Sequence, residues 1–289
     1  MGHSDDEILR ALNDAVGAVP SEIGDWAAFD KPVMFICGAP RSGTTLLYQL
    51  LAYVGEVGYV NNLIARFYAN PPLGAWLSEQ AQIDRVFLPK SVYGRTFGAS
   101  SPHEFGRFWL DAFGLHAIGQ PDSAPEPETI ASAAAKIARL GAVFNRPMVF
   151  KSFDYLWFID ELAATLPSTK WIHIVRERES NIGSLTTLYE NRVTDGVAPT
   201  WTSATLRATR EAHAHDPLPV RVAAQIDDLN AHIAAAVERR PTADRITVQL
   251  ADLTADPAGV TAAVFDHLGV DYDRRRLHEA AHILGRGED

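Results

Sequence analysis

Eight consecutive residues, Gly38-Ala39-Pro40-Arg41-Ser42-Gly43-Thr44-Thr45, carry the strongest local chemical signal in this chain. They lie between the apolar run Val33–Cys37 and a segment with leucines at helical spacing. Glycines permit a tight turn, the backbone N–H groups exposed by such a turn can surround an anion, and a helix N-terminus behind it adds favourable partial charge. The segment reads as a phosphate cradle.

It resembles a nucleoside triphosphate P-loop but departs from it at a decisive position. Thr44 stands where G-x-x-x-x-G-K-[ST] requires Lys, and the cation is Arg41 instead. The missing Lys normally spans the β- and γ-phosphates, so ATP or GTP hydrolysis is disfavoured. The loop suits a shorter, metal-free anionic group. Pro40-Arg41-Ser42-Gly43-Thr44-Thr45-Leu46 is similar throughout to the 5′-phosphosulfate loop of the sulfotransferase superfamily, P-[KR]-S-G-T-T-[LW]. The resemblance implies that Arg41, Ser42, Gly43, Thr44 and Thr45 bind the 5′ end of 3′-phosphoadenosine 5′-phosphosulfate (PAPS), whose product is adenosine 3′,5′-bisphosphate. It also implies a 3′-phosphate site at Arg176, which ends the run Ile172–Val175, and at Ser184 eight residues later. Arg176 would supply a planar cation suited to bidentate contacts, and Ser184 a neutral donor. The segment Val248–Leu253 is a third, partial match in which Leu250 and Ala251 replace Tyr and Glu, so only architecture is carried over.

The group that would activate an acceptor is less obvious. One branch of the family uses Lys-x-His, whereas here Lys151-Ser152-Phe153 keeps the Lys and places a ring with no proton-accepting atom at the His position. Lys151 and Arg41 would stabilise charge in transfer. Other branches use a carboxylate from the region that here reads Ser101-Pro102-His103-Glu104-Phe105, which makes Glu104 the leading base by resemblance. His103 is its rival, because an ordinary imidazole suits proton removal at neutral pH. A purely structural reading competes with both: Ser101 and Glu104 have capping-box spacing and Pro102 occupies the favoured first helical position. Arg286 could join the 3′-phosphate site. His173 reads as a packed strand residue and His213 and His215 as surface residues, while His278 and His282 are at i, i+4 without a third ligand. No metal is expected.

The elements that must position these groups follow from hydrophobic pattern. Val33–Cys37 is a continuous apolar run of the kind buried on both faces in parallel sheets, and Met148–Lys151 and Lys170–Val175 read as further strands. Each is followed by helical spacing: Leu46 to Val54, near Leu156 to Leu166, and from near Glu179. Alternation of this kind predicts βαβ units in an α/β fold, a P-loop-like parallel sheet flanked by helices. Ligands in such sheets sit outside the carboxyl ends of the strands, here around residues 38 to 45, 151 to 154 and 176 to 184. Residues 67 to 118 hold ten of the 27 aromatic residues and read as a helical insertion with its own core on the acceptor side. Helices are further expected at 5–17, opened by Ser4 and Glu7 as a capping box, and at 201–214, 219–240, 257–268 and 274–283. A strand is expected at 245–250. A single domain over 1–289 is the expectation from length and composition.

A net charge of −10 argues against general nucleic-acid binding, so any anionic ligand needs a local site. The single Cys37 excludes an internal disulfide and a thiolate zinc site. No run approaches the roughly 20 apolar residues of a membrane span. The acidic start is unlike a signal peptide, and Asp6 disfavours myristoylation of Gly2. These features fit a cytoplasmic protein, and the resemblance implies an enzyme acting on a small alcohol or phenol. A P-loop kinase or NTPase, or a nonenzymatic nucleotide-binding protein, are the alternative readings. The acceptor and the oligomeric state are not legible in the residues.

Overall fold

A computed structural model describes residues 5–19, 29–91, 94–115, 119–166, 168–191, 201 and 203–285. Ser4, Tyr93 and Arg286 lie outside these, and with them the N-terminal capping box and the third candidate for the 3′-phosphate site. The elements in chain order are α1 (Asp5–Gly17), β1 (Val33–Cys37), α2 (Thr44–Val54), β2 (Gly58–Tyr59), α3 (Pro71–Gln80), α4 (Gly106–Phe113), α5 (Pro127–Phe144), β3 (Met148–Lys151), α6 (Ile159–Thr165), β4 (Thr169–Val175), α7 (Arg178–Asn191), α8 (Arg207–Ala212), α9 (Leu218–Glu238), β5 (Arg245–Gln249), α10 (Leu250–Ala255), α11 (Pro257–Leu268) and α12 (Arg274–Gly285).

The five strands form one sheet in the order β2-β3-β1-β4-β5, parallel throughout. Every residue of β1 is buried, as expected for a central strand covered by helices on both faces. Alternation divides its side chains between two cores. Val33, Phe35 and Cys37 face a cluster that includes Trp109, Ile137, Tyr155 and Ile226, while Met34 and Ile36 face Leu47, Leu51, Val264 and Phe265. The α/β fold with a parallel sheet is thus the one the apolar runs predicted.

The aromatic segment does not build a core of its own. Phe105, Phe108, Trp109 and Phe113 belong to the cluster on the sheet, where the Trp109 ring meets Phe150 at 5.5 Å and Tyr155 at 5.2 Å between centroids. The Tyr155 hydroxyl donates to the carbonyl of Ile36 at 2.7 Å, bracing the end of β1 from the same side. Two further expectations are revised. The helix expected over 201–214 is confined to α8; before it, the Gln225 amide donates to the Ala204 carbonyl at 2.7 Å and to the Thr205 hydroxyl at 2.8 Å, holding that stretch in an irregular form. Leu250 opens α10 rather than ending the strand β5. No helix among the described residues is long and apolar enough to cross a membrane.

Candidate active site

β1 lies between β3 and β4, so the loops leaving their carboxyl ends meet at one edge of the sheet. There they border a cleft of about 330 Å³ whose lining includes Arg41, Gly43, Thr44, Thr45, Gly94, Glu104, Lys151, Phe153 and Arg176. Segments 38–45, 151–154 and 176–184 are thereby brought together as the strand order requires.

Close packing gives the first loop its shape. A Cβ on Gly38 would come within 2.6 Å of Ser42 Oγ and 2.7 Å of the Ile174 carbonyl, so only glycine lets the chain pass β4 here. Gly43 adopts φ 91° directly before α2, and a Cβ there would collide with the Leu250 side chain. Arg41 is left-handed as well, at φ 67°, an uncommon state for a residue with a side chain. Ser42 Oγ is buried and has no hydrogen-bond partner among the described residues. Because α2 begins without a side-chain cap, its first N–H groups are left unsatisfied at residues that line the cleft.

The second motif closes on the first. Arg41 Nε donates to Ser184 Oγ at 3.1 Å, and Arg176 Nη1 donates to the Arg41 carbonyl at 3.0 Å. Asn181, fully buried on α7, donates its amide to the Pro40 carbonyl at 2.7 Å. The sequence reading passed over Asn181. Its signal was present, since Asn181 and Ser184 stand three apart on one helical face.

On the other side of the cleft, the Lys151 side chain is 1% exposed and its ammonium pairs with a Glu104 carboxylate that is 32% exposed. The Phe153 ring packs against the same ammonium, with Nζ 4.0 Å from the ring centroid. The ring that replaces a histidine in the motif thus helps hold the cation. The capping box at residues 101–104 does not form. Helix α4 starts at Gly106 after Phe105 in a left-handed turn, and the Ser101 hydroxyl donates to the Phe97 carbonyl. Glu104 is therefore free of a capping duty, and its backbone carbonyl is fixed by Trp109 Nε1 at 3.1 Å.

His103, the rival base, points its chemistry elsewhere. Its Nδ1 accepts the Phe105 amide at 2.8 Å, and it is absent from the cleft lining. Removal from water on its protein side, partly opposed by Glu104, lowers its pKa from 6.5 although the residue keeps an exposed edge. Two other titratable groups nearby are buried. Asp154 follows β3 and accepts from Ser152 Oγ at 2.9 Å; burial raises its pKa to about 6. His173, 5% exposed within β4, is pushed down to about 4 by burial. Gly94 has no signal in the sequence, and neither does the contact of Leu250 with Gly43, because local pattern does not report which distant segment a residue touches.

A sequence profile described as the Sulfotransferase family matches residues 32–274 of the chain. The chain belongs to the Sulfotransferase family. It is accordingly a PAPS-dependent transferase, and the kinase and NTPase reading is set aside. The fold is shared with sulfotransferase STF1 from Mycobacterium tuberculosis H37Rv, at 18% identity and a TM-score of 0.60 over 95% of this chain and 76% of that one. It is shared also with sulfotransferase STF9 from Mycobacterium avium, at 14% identity and a TM-score of 0.57 over 97% and 73% of the two chains. No curated protein matches in sequence.

Proposed function

We propose that this sulfotransferase moves a sulfuryl group to the hydroxyl of a small alcohol or phenol, with Glu104 as the base and Lys151 as its charge partner. When bound, PAPS supplies the activated sulfuryl group and leaves as adenosine 3′,5′-bisphosphate. The loop fits such an anion on three counts: the glycine-dependent cradle at Gly38 and Gly43, the buried and unpartnered Ser42 Oγ, and the uncapped start of α2. In this reading Arg41, Ser42, Gly43, Thr44 and Thr45 hold the 5′ end, and Arg176 with Ser184 holds the 3′ phosphate. Arg176 would bind that phosphate while its Nη1 steadies the Arg41 carbonyl, coupling the two ends of the site.

The observation that carries the assignment is the buried Lys151 ammonium paired with a half-buried carboxylate on the cleft wall. Glu104 takes the proton of the acceptor hydroxyl. Its negative charge is then gone, and Lys151 is left to act on negative charge developing in the same cleft. A single proton transfer thus both activates the acceptor and releases the cation. His103 is the lesser candidate because its Nδ1 is occupied and it does not line the cleft.

Calorimetry with adenosine 3′,5′-bisphosphate, ADP and ATP tests the donor site, and preference for ATP would sink it. For the base, nucleotide release is first screened over a panel of alcohols and phenols, and Glu104→Gln is then compared with His103→Gln. The expected loss is about 10²–10⁴-fold in turnover for Glu104→Gln alone, with adenosine 3′,5′-bisphosphate affinity retained. Loss in His103→Gln with activity kept in Glu104→Gln reverses the assignment.

A further inference from the structure

Gly94 lies on the cleft wall with φ 83°, in a stretch without helix or strand between α3 and α4. A Cβ built on it would stand 2.7 Å from Glu104 Oε1 and 3.8 Å from Thr45 Oγ1. The same Oε1 is the oxygen that pairs with Lys151 Nζ. One carboxylate oxygen is therefore held between an immovable cation on β3 and a backbone that offers it room only because residue 94 has no side chain.

The identity of the atom in the way decides the consequence. A Cβ that met backbone would be resisted by the fold, whereas here it meets the far end of a flexible side chain. The carboxylate would yield by rotating or withdrawing, and the pairing with Lys151 would be lost while the fold stays intact. From this, and resting on the reading of Glu104 as the base, we infer that Gly94 is a positioning residue for the transfer, setting where the Glu104 carboxylate stands. A misplacement on the order of 1 Å at a reacting group can lower the rate about 10²-fold. Gly94 makes this placement without touching the reacting atoms itself.

Backbone strain has to be separated from displacement of Glu104, and the chain holds its own control. Gly98 has φ 86°, close to that of Gly94, but a Cβ there meets only Leu88 Cδ1 at 3.5 Å and Ser101 Oγ at 3.9 Å, ordinary contacts. Gly98→Ala imposes comparable strain on the same segment and leaves Glu104 untouched.

The experiment measures turnover, acceptor KM and adenosine 3′,5′-bisphosphate affinity in Gly94→Ala, Gly98→Ala, Glu104→Gln and Gly94→Ala/Glu104→Gln. Turnover is expected to fall on the order of 10²-fold in Gly94→Ala and less than about threefold in Gly98→Ala, with nucleotide affinity unchanged in both. In the Glu104→Gln background, Gly94→Ala should cost little more, because a group already removed cannot be misplaced. Equal loss in the two glycine variants, or a full additional loss in the double variant, overturns the inference. Wild-type turnover in Gly94→Ala beside an inactive Glu104→Gln overturns it as well and leaves the base assignment standing. Full turnover in Glu104→Gln removes the base assignment instead, a distinguishable failure.

Discussion

Arg41 holds a left-handed backbone at φ 67°, which costs an L-residue about 1–2 kcal/mol. Strain of this kind persists where the surrounding structure enforces it, and here the Arg176 bond to its carbonyl and the Asn181 bond to the neighbouring Pro40 carbonyl do so. Arg41→Gly should therefore leave stability within about 1 kcal/mol of the parent, since relief of strain offsets the greater entropy of an unfolded glycine. Turnover should drop on the order of 10²-fold with the loss of the cation. Thermal melts beside nucleotide-release assays check this; a marked loss of stability with activity retained would make Arg41 a structural residue. Arg176→Ala should weaken adenosine 3′,5′-bisphosphate by about 1.5–3 kcal/mol. Adenosine 5′-phosphate should lose only about 0.5–1.5 kcal/mol, through the freed Arg41 carbonyl. Equal losses by calorimetry would exclude Arg176 from a 3′-phosphate role.

Between elements, the loop is gripped from both sides. Asn181 on α7 ties down Pro40, and Leu250 at the start of α10 fills the space over Gly43. Gly43→Ala should destabilise the protein by about 2–4 kcal/mol, combining left-handed strain with overpacking against Leu250. If the collision with Leu250 contributes, Gly43→Ala/Leu250→Ala will cost less than the sum of the single variants by at least about 0.5 kcal/mol. Strict additivity in urea denaturation would mean that backbone strain alone sets the cost. The helix starts were the least legible elements. The sequence offers a capping box at Ser101 and Glu104 as one of two readings, and a tertiary contact replaces it: the Lys151 ammonium at the end of β3 takes the Glu104 carboxylate. A carboxylate offered a buried cation gains more than one capping a solvated amide, and α4 starts later, after Phe105.

Over the whole molecule, a net charge of −10 coexists with three cationic side chains lining one cleft, Arg41, Lys151 and Arg176. Buried titratable groups make stability depend on pH in opposite senses. The Asp154 pKa is raised from 3.8 to about 6 in the folded state, so the folded protein binds the proton more tightly than the unfolded chain. Its contribution is full below pH 3.8 and is lost as pH rises through about 6. His173, lowered from 6.5 to about 4, contributes stability above pH 6.5 that is lost as pH falls toward 4. Asp154→Asn isolates the first term. Its stability relative to the parent should improve by on the order of 3 kcal/mol between pH 4 and pH 7. Denaturation at the two pH values measures it, and an unchanged difference would place the Asp154 carboxyl in a solvated environment.

The residues alone determined the alternation of buried runs and helices, and hence a parallel sheet, because a strand covered on both faces leaves little room for polar residues. They determined the tight glycine-dependent turn after β1 as well, since glycine spacing and a local cation are chain-local properties. Arg176 and Ser184 were singled out through the resemblance to the family's 3′-phosphate element, and both contact Arg41. What only the tertiary structure decided is how segments far apart in sequence share atoms: Lys151 with Glu104, Asn181 with Pro40, Leu250 with Gly43, and Gly94 with the Glu104 carboxylate. Which of Glu104 and His103 lines the cleft was of this kind. Adjacent residues differ little in local pattern; pairing with Lys151 at the end of β3 holds Glu104 in the cleft lining, while the His103 ring accepts the backbone amide of Phe105.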